Sequence, residues 1–252
     1  MPRSRRMSPR PDAMRISRPD GMVAVDDDTL SRDLTALQTA VEPFGIPFDD
    51  AVFDRLATFG RELVSWNERH NLLSRMDVQN VITKHVAASL GVFLLADPIP
   101  GQRWIDVGSG AGFPGMVLKL VRPDIDITLL DSSKKRCEFL DHIVRTIDLK
   151  QVQVLPMRAE TLLSHRGGRK GFDVLTSRAV ASLEDSMRNF GGLLGPGGRF
   201  ITFKGPNWMA EVENAISKGA FRSSGLSMES VARVPWTQSH LLMLRADVPI
   251  PR

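Results

Sequence analysis

The chain has a single cysteine, Cys137, in 252 residues. That excludes an internal disulfide framework and fits a reducing compartment. No apolar run reaches the roughly 18 residues that a membrane-spanning helix needs, and no apolar stretch of signal-peptide type stands near the first residue. The five histidines form no His-x-x-x-His pair and have no cysteine beside them, so no metal site is expected. Beyond the first segment there are no repeats and no low-complexity stretches.

Excess charge is also missing from most of the chain. The net charge is +4, but residues 1–22 hold all of it, with six arginines (Arg3, Arg5, Arg6, Arg10, Arg15, Arg18) against Asp12 and Asp20. The remainder keeps 27 of the 33 basic and 27 of the 29 acidic residues. The body is therefore not globally basic, and any phosphate-binding surface has to be a local patch. Pro2, Pro9, Pro11 and Pro19 interrupt helix formation in the same segment, and they argue against an amphipathic transit helix. Residues 1–25 are expected to form a disordered basic arm, either a true tail or the product of an early start, since Met7, Met14 and Met22 are in frame.

What is present is a 42% hydrophobic composition with 25% charged residues, enough for one good core or one core with a small appendage. After Asp26, Asp27 and Asp28, apolar residues recur at Leu30, Leu34, Leu37 and Val41 with helical spacing. Pro43 and Pro47 break that pattern. A second helix is expected with Val52, Leu56, Phe59, Leu63 and Trp66 on one face. A third carries Val78, Ile82, Val86, Leu90 and Phe93 and ends before Asp97-Pro98. From Arg103 the rhythm changes. Short apolar strands are predicted at Trp104–Val107, Ile125–Leu130, Val152–Leu155, Phe172–Thr176 and Arg199–Phe203, with helical spacings such as Cys137, Leu140, Val144 and Ile147 between them. Leu226–Val234 and His240–Leu244 add two more, joined by a turn containing Pro235. Alternation of this kind implies an α/β fold with a doubly wound, mostly parallel sheet. Residues 26–98 then form an N-terminal helical cap and 99–252 the sheet domain.

The chemistry concentrates in Asp106-Val107-Gly108-Ser109-Gly110-Ala111-Gly112-Phe113-Pro114-Gly115, which follows a strand. Gly110 to Gly115 fits the dinucleotide fingerprint G-x-G-x-x-G, a weak signal alone. Two features turn it toward S-adenosylmethionine: the glycines run Gly108-x-Gly110-x-Gly112, and Asp106 stands two places before the first. A carboxylate repels a pyrophosphate but helps to neutralise an amino group and a sulfonium. Asp131 closes the second strand, where a carboxylate accepts from ribose hydroxyls; it is equally placed to cap the next helix. Glu160, after the third strand, suits either an adenine contact or a first-turn helix acid.

The missing acceptor motifs narrow the reaction. Thr176-Ser177-Arg178-Ala179 stands where amino-group methyltransferases of adenine or cytosine carry Asn/Asp-Pro-Pro-aromatic. Cys137 has core-facing helical spacing, which disfavours a nucleophile for pyrimidine carbon-5. Guanine N7 has a free lone pair, so its methylation needs positioning rather than a general base. Arg178 and Lys204, at strand ends beside the crevice, are the candidates to grip base or phosphate.

Several motifs taken in order resemble one family. They are Trp66-Asn67, Asn71-Leu72, Lys84-His85, the stretch from Ile105 to Gly115, Leu129-Leu130-Asp131-Ser132, Ser177-Arg178-Ala179 with Ala181-Ser182-Leu183, and Lys204-Gly205. The chain resembles the bacterial small-subunit rRNA guanine-N7 methyltransferases, formerly called glucose-inhibited division protein B, over about residues 27 to 246. The resemblance implies a Rossmann-like class I methyltransferase with a seven-stranded sheet. It further implies a cytoplasmic enzyme that uses S-adenosylmethionine to methylate one guanine of 16S rRNA, the guanine-527 position of the family, on the 30S subunit or an assembly intermediate. A monomer is expected. The family's cofactor contacts match Gly108, Phe113, Ala159, Glu160 and Arg178, beside Asp106, Gly110, Gly112 and Asp131 from the reading above. Its His-x-x-Asp-Ser pattern departs here at Ala88.

Other residues of the motif set have two readings. Trp66 fits packing or base stacking; Asn67 and Asn71 fit a helix cap or a cleft wall; His85 fits a core edge or a substrate contact. Lys134, Lys135 and Arg136 fit a solvated helix start or an RNA phosphate site, and the run Arg166–Lys170 fits a mobile loop. The competing functions are a methyltransferase for a small molecule or protein, a nicotinamide-dependent oxidoreductase, and a non-catalytic ribosome assembly factor.

Overall fold

The computed structural model describes residues 25–164 and 171–247. The expected arm, apart from its last residue, and the run Arg166–Lys170 lie outside the described residues. Helix α1 (Asp27–Val41) opens where the Asp26 carboxylate accepts from the Thr29 N–H at 2.9 Å. Asp49 does the same for α2 (Asp50–His70), accepting from the Val52 N–H at 2.8 Å. Such caps satisfy amides that the first helical turn leaves free. The spaced apolar residues of both helices are buried, with Trp66 half-buried against the same cluster.

The third expected helix is not continuous. It divides into α3 (Arg75–Gln79), a π-helical turn over Val81–Val86, α4 (Ala87–Leu90) and a 3₁₀ turn over Gly91–Leu94. Asn80 breaks the helix at φ −111°, ψ 27°, and the Ala87 N–H reaches back five residues to the Ile82 carbonyl. An extra residue per turn shifts every later side chain around the axis. Ile82, Val86 and Leu90 are buried, whereas Val78, before the break, is only half-buried. Periodicity assumes a constant 100° step, so it cannot register such a turn.

The sheet has the order β3-β2-β1-β4-β5-β7-β6, built from β1 (Arg103–Val107), β2 (Asp126–Asp131), β3 (Val152–Pro156), β4 (Phe172–Arg178), β5 (Leu194–Lys204), β6 (Leu226–Arg233) and β7 (His240–Ala246). Among the described strands β7 alone runs against the others, pairing antiparallel with both β5 and β6, while the remaining pairs are parallel. Three strands run further than expected by two residues or more: β4 continues to Arg178, β5 starts at Leu194, and β7 continues to Ala246.

Alternating strand residues split between two apolar layers. Trp104, Ile127, Leu129, Val174, Ile201 and Leu241 face one way and merge with α1, α2, α4, α5 (Gly115–Val121) and α6 (Lys134–Thr146) into one cluster. Ile105, Leu130, Leu175, Phe200 and Leu242 face the other way, against α7 (Ala159–Ser164), α8 (Leu183–Phe190), α9 (Trp208–Ser217) and α10 (Ala220–Ser224). The N-terminal helices thus share the core of the sheet's first face. Lys119 on α5 is wholly buried, and its amine donates to the carbonyls of Pro123 and Ile125. Burial pushes that amine down to about 8.

Candidate active site

Strand order reverses direction between β1 and β4, where doubly wound sheets hold their ligands at the C-terminal strand ends. The glycine loop occupies this point. Gly108, Gly110 and Gly112 have φ of 74°, 56° and 104°, values that side chains on Cβ rarely permit. The Gly108 and Ser109 amides donate to the Leu130 carbonyl at 2.7 and 3.0 Å, fixing the loop to the end of β2. A Cβ at Gly108 would come within 2.5 Å of Val180, and one at Gly115 within 2.6 Å of the Asp106 Cβ. At Gly110 it would meet nothing nearer than the Gly108 carbonyl at 3.8 Å. There, glycine keeps a cavity clear rather than a protein contact.

That cavity measures about 540 Å³, within the usual range for a small-molecule site. Gly108, Gly110, Phe113, Asp131, Ala159, Glu160 and Arg178 all line it, as do Leu72, Leu73, His85 and Arg136. Asp131 is nearly buried; its Oδ2 accepts from the Gly110 N–H at 2.9 Å and its Oδ1 from the Ser133 N–H at 2.8 Å. Helix α6 itself is capped by Ser133. Asp131 therefore joins the glycine loop to the start of α6 and still faces the cavity.

Asp106 and Gly112 are placed differently from the expectation, since neither lines the cavity. The Asp106 side chain is fully buried beneath the loop, accepting from the Gly115 N–H at 3.0 Å and from the Thr176 hydroxyl at 2.8 Å. Burial pushes its carboxyl up to about 6, against those hydrogen bonds. It acts on the loop's shape from below. Gly112 is closed in by Met116, whose Cβ would lie 2.8 Å from an added Cβ. Its role is likewise packing.

The cavity's far wall comes from the helical region. His85 stacks on Phe113 with ring centroids 5.0 Å apart. Its Nε2 stands 3.2 Å from Asp77 Oδ1 but out of line for a hydrogen bond. Burial first, and then the Arg178 charge, pull the imidazole down to about 4, so it is neutral at pH 7. A neutral ring does not repel a cationic ligand. The Asp77 carboxyl is held well below the usual carboxylate range, chiefly by Lys84 and then by Ser74. Asn67 accepts from the Leu73 N–H at 2.7 Å, and Asn71 ends α2 in the left-handed region at φ 46°. Both asparagines shape the segment whose Leu72 and Leu73 reach the cavity. Trp66 packs between His70, Phe139 and His142 and lies outside it.

Arg178 is the junction. It lines this cavity and also an adjoining open cleft of about 1030 Å³. Among the described residues no carboxylate lies within 4.0 Å of its guanidinium, and its one hydrogen bond is a long one of 3.5 Å to the His85 carbonyl. Burial lowers its pKa, and the Phe203 ring lies 5.7 Å away. A half-buried cation without a carboxylate partner is available to a ligand. Ala179, next in sequence, holds φ at 54°, a strained setting for a residue with a Cβ.

Lys204 lines the cleft and not the smaller cavity. It is 8% exposed, and its amine donates to Glu211 Oε2 at 2.7 Å. Glu211, Arg233 and Trp236, which line the same cleft, escaped the sequence reading because nothing in a spacing rule links 178, 204, 211 and 233. Cys137 is buried, with its thiol donating weakly to the Asp131 carbonyl at 3.4 Å. Burial raises it to about 11, so it is no nucleophile at neutral pH.

Residues 53–241 match the family GidB, rRNA small subunit methyltransferase G. The ribosomal RNA small subunit methyltransferase G of Roseiflexus castenholzii is 40% identical over 162 residues, which span 64% of this chain and 69% of that protein. That of Symbiobacterium thermophilum is 35% identical over 233 residues, spanning 88% and 91%. Among solved structures, Aeropyrum pernix fibrillarin in complex with S-adenosyl-L-methionine is 18% identical with a TM-score of 0.50, covering 64% of this chain and 74% of its own. A SAM-dependent methyltransferase from Aquifex aeolicus is 16% identical with a TM-score of 0.50, covering 68% and 95%. The likeness to these two structures concerns the fold.

Proposed function

Since the chain belongs to the rRNA small subunit methyltransferase G family, we propose that it methylates N7 of a single guanine in 16S rRNA, using S-adenosylmethionine. The observation that carries this reading is the meeting of two cavities at Arg178. One is a glycine-lined pocket with Asp131 and Glu160 on its walls; the other is an open cleft lined by Lys84, Arg178, Lys204 and Arg233. The pocket is read as the cofactor site: Gly110 leaves space in the cavity that Asp131 and Glu160 line, Asp131 is read as the partner of ribose hydroxyls and Glu160 of the adenine edge, and the neutral His85 tolerates a neighbouring positive charge. When bound, S-adenosylmethionine supplies an electrophilic methyl group on a sulfonium.

The chain's own residues have little proton chemistry to perform. Guanine N7 already carries a lone pair, so the task is to hold the base at the end of the pocket and keep competing nucleophiles out. Arg178 lines both cavities, and it is read as gripping the cofactor or the base. Lys84 and Arg233 of the cleft are read as holding the RNA backbone, which makes binding fall steeply with salt. Residues 26–98 act as a cap that closes the pocket with His85, Leu72 and Leu73. The natural substrate is read as the 30S subunit or an assembly intermediate, met by a monomer in the cytoplasm. No described helix is long and apolar enough to cross a membrane.

Purified protein with radiolabelled S-adenosylmethionine, offered 30S and 50S subunits from cells lacking the gene, tests the reading. Label is expected in 16S rRNA alone. Label confined to protein or small molecules would replace this function with another methyl acceptor, and calorimetry showing a preference for NAD would remove the cofactor assignment.

A further inference from the structure

We infer that Glu211 reads the Watson–Crick edge of the target guanine and stabilises the charge that the base acquires, an inference that rests on the guanine-N7 reading above. Among the described residues Glu211 is the one carboxylate lining a cleft that also presents Lys84, Arg178, Lys204 and Arg233. A carboxylate works against phosphate binding, so its place in a cationic cleft calls for a ligand that donates hydrogen bonds. Guanine presents two adjacent donors, N1–H and an N2 amino hydrogen, and a carboxylate is the matching pair of acceptors. Glu211 is set for this, because Lys204 at the end of β5 is 8% exposed and holds Oε2 at 2.7 Å, which leaves Oε1 without a partner among the described residues. Each carboxylate oxygen accepts more than one hydrogen bond. Lys204 thus becomes a positioning residue that acts through Glu211.

The same contact gains strength during the reaction. N7 gives its lone pair to the methyl carbon as the carbon–sulfur bond breaks with its electrons on sulfur. The positive charge passes from the sulfonium to the purine, and no proton moves. A carboxylate on N1–H and N2–H is attracted more strongly to the product-like cation than to neutral guanine, which lowers the barrier as well as selecting the base.

The test is methyl transfer to 30S particles reconstituted with 16S rRNA that carries guanosine or inosine, which lacks the N2 amino group, at the methylated position. With the wild-type chain, inosine is expected to lower kcat/KM by about tenfold or more, the usual worth of one hydrogen bond to a charged group. Glu211→Ala and the isosteric Glu211→Gln should both be slower on guanosine, and the alanine variant should no longer distinguish the two bases. S-adenosylmethionine affinity, read by calorimetry, should stay at the wild-type value, because Glu211 does not line that pocket. Wild-type protein that ignores the loss of N2, or Ala and Gln variants that keep the wild-type ratio, would overturn the inference while leaving the N7 reading intact. Absence of any guanine transfer by the wild-type chain would defeat both.

Discussion

The two cavities that meet at Arg178 differ in one part of their walls. The smaller is lined in part by a main-chain loop, Gly108, Ser109 and Gly110, held to β2 by the Leu130 carbonyl and the Asp131 carboxylate, beside side chains such as His85, Phe113 and Glu160. The larger is made of side chains from four separated stretches, around 83–84, 178–182, 203–211 and 233–239. A backbone cradle suits a ligand of fixed shape, because its geometry is set once the loop folds. A cleft of lysines, arginines and one glutamate suits a partner recognised by charge and by hydrogen-bonding edge. The difference teaches where binding and where selectivity should respond to substitution.

Gly110→Asp should show the largest effect. Aspartate tolerates left-handed backbone better than most residues, so the fold should persist with a melting temperature within a few degrees of wild type. Its carboxylate would occupy the cavity, and S-adenosylmethionine affinity should fall by more than about 100-fold. Wild-type affinity in calorimetry would break the contrast at its first term. Arg178→Ala comes next, with an expected loss in kcat/KM on 30S subunits of about 100-fold, as for the removal of a charged donor at a reacting centre. Unchanged turnover would sever the two cavities functionally.

A smaller effect concerns stability. The Asp106 carboxyl is raised to about 6 by burial, above its ordinary value of 3.8. The folded state therefore holds more protons than the unfolded chain between those values, and Asp106 favours folding at the acid end. That contribution is lost as pH rises through about 6. Asp106→Asn removes the titration, so urea unfolding should show the wild-type protein losing ground to the variant between pH 4 and 6. The expected change is on the order of 2–3 kcal/mol. A constant difference would mean that Asp106 titrates normally. The smallest effect is expected at Cys137→Ala: about 1 kcal/mol of stability from a lost buried sulfur, with turnover on 30S subunits unchanged. A large loss of activity there would place a side chain of α6 in the chemistry.

The same division explains what was legible in the sequence. The sheet, the glycine loop and Asp131 could be read because each depends on neighbours in the chain: strand alternation, positive-φ glycines, an acid at a strand end. Asp106 was legible as an acid before a glycine loop, but its direction was not. Spacing does not say that Gly115 sits so close to β1 that the carboxylate turns beneath the loop to meet its amide. The π turn at 81–86 was hidden because periodicity assumes a constant step, and this is the stretch whose Lys84 and His85 lie beside Asp77. Glu211 was invisible because its meaning comes from Lys204, which only the end of β5 brings beside it.

The most direct test is to map the modified base itself. Small-subunit rRNA from cells with and without this gene would be reduced with borohydride and cleaved with aniline, a treatment that breaks the chain at N7-methylguanosine. Scission at one guanine, present with the gene and absent without it, is the predicted result. Identical cleavage patterns in the two strains would contradict the assignment of a guanine ring nitrogen as the methyl acceptor.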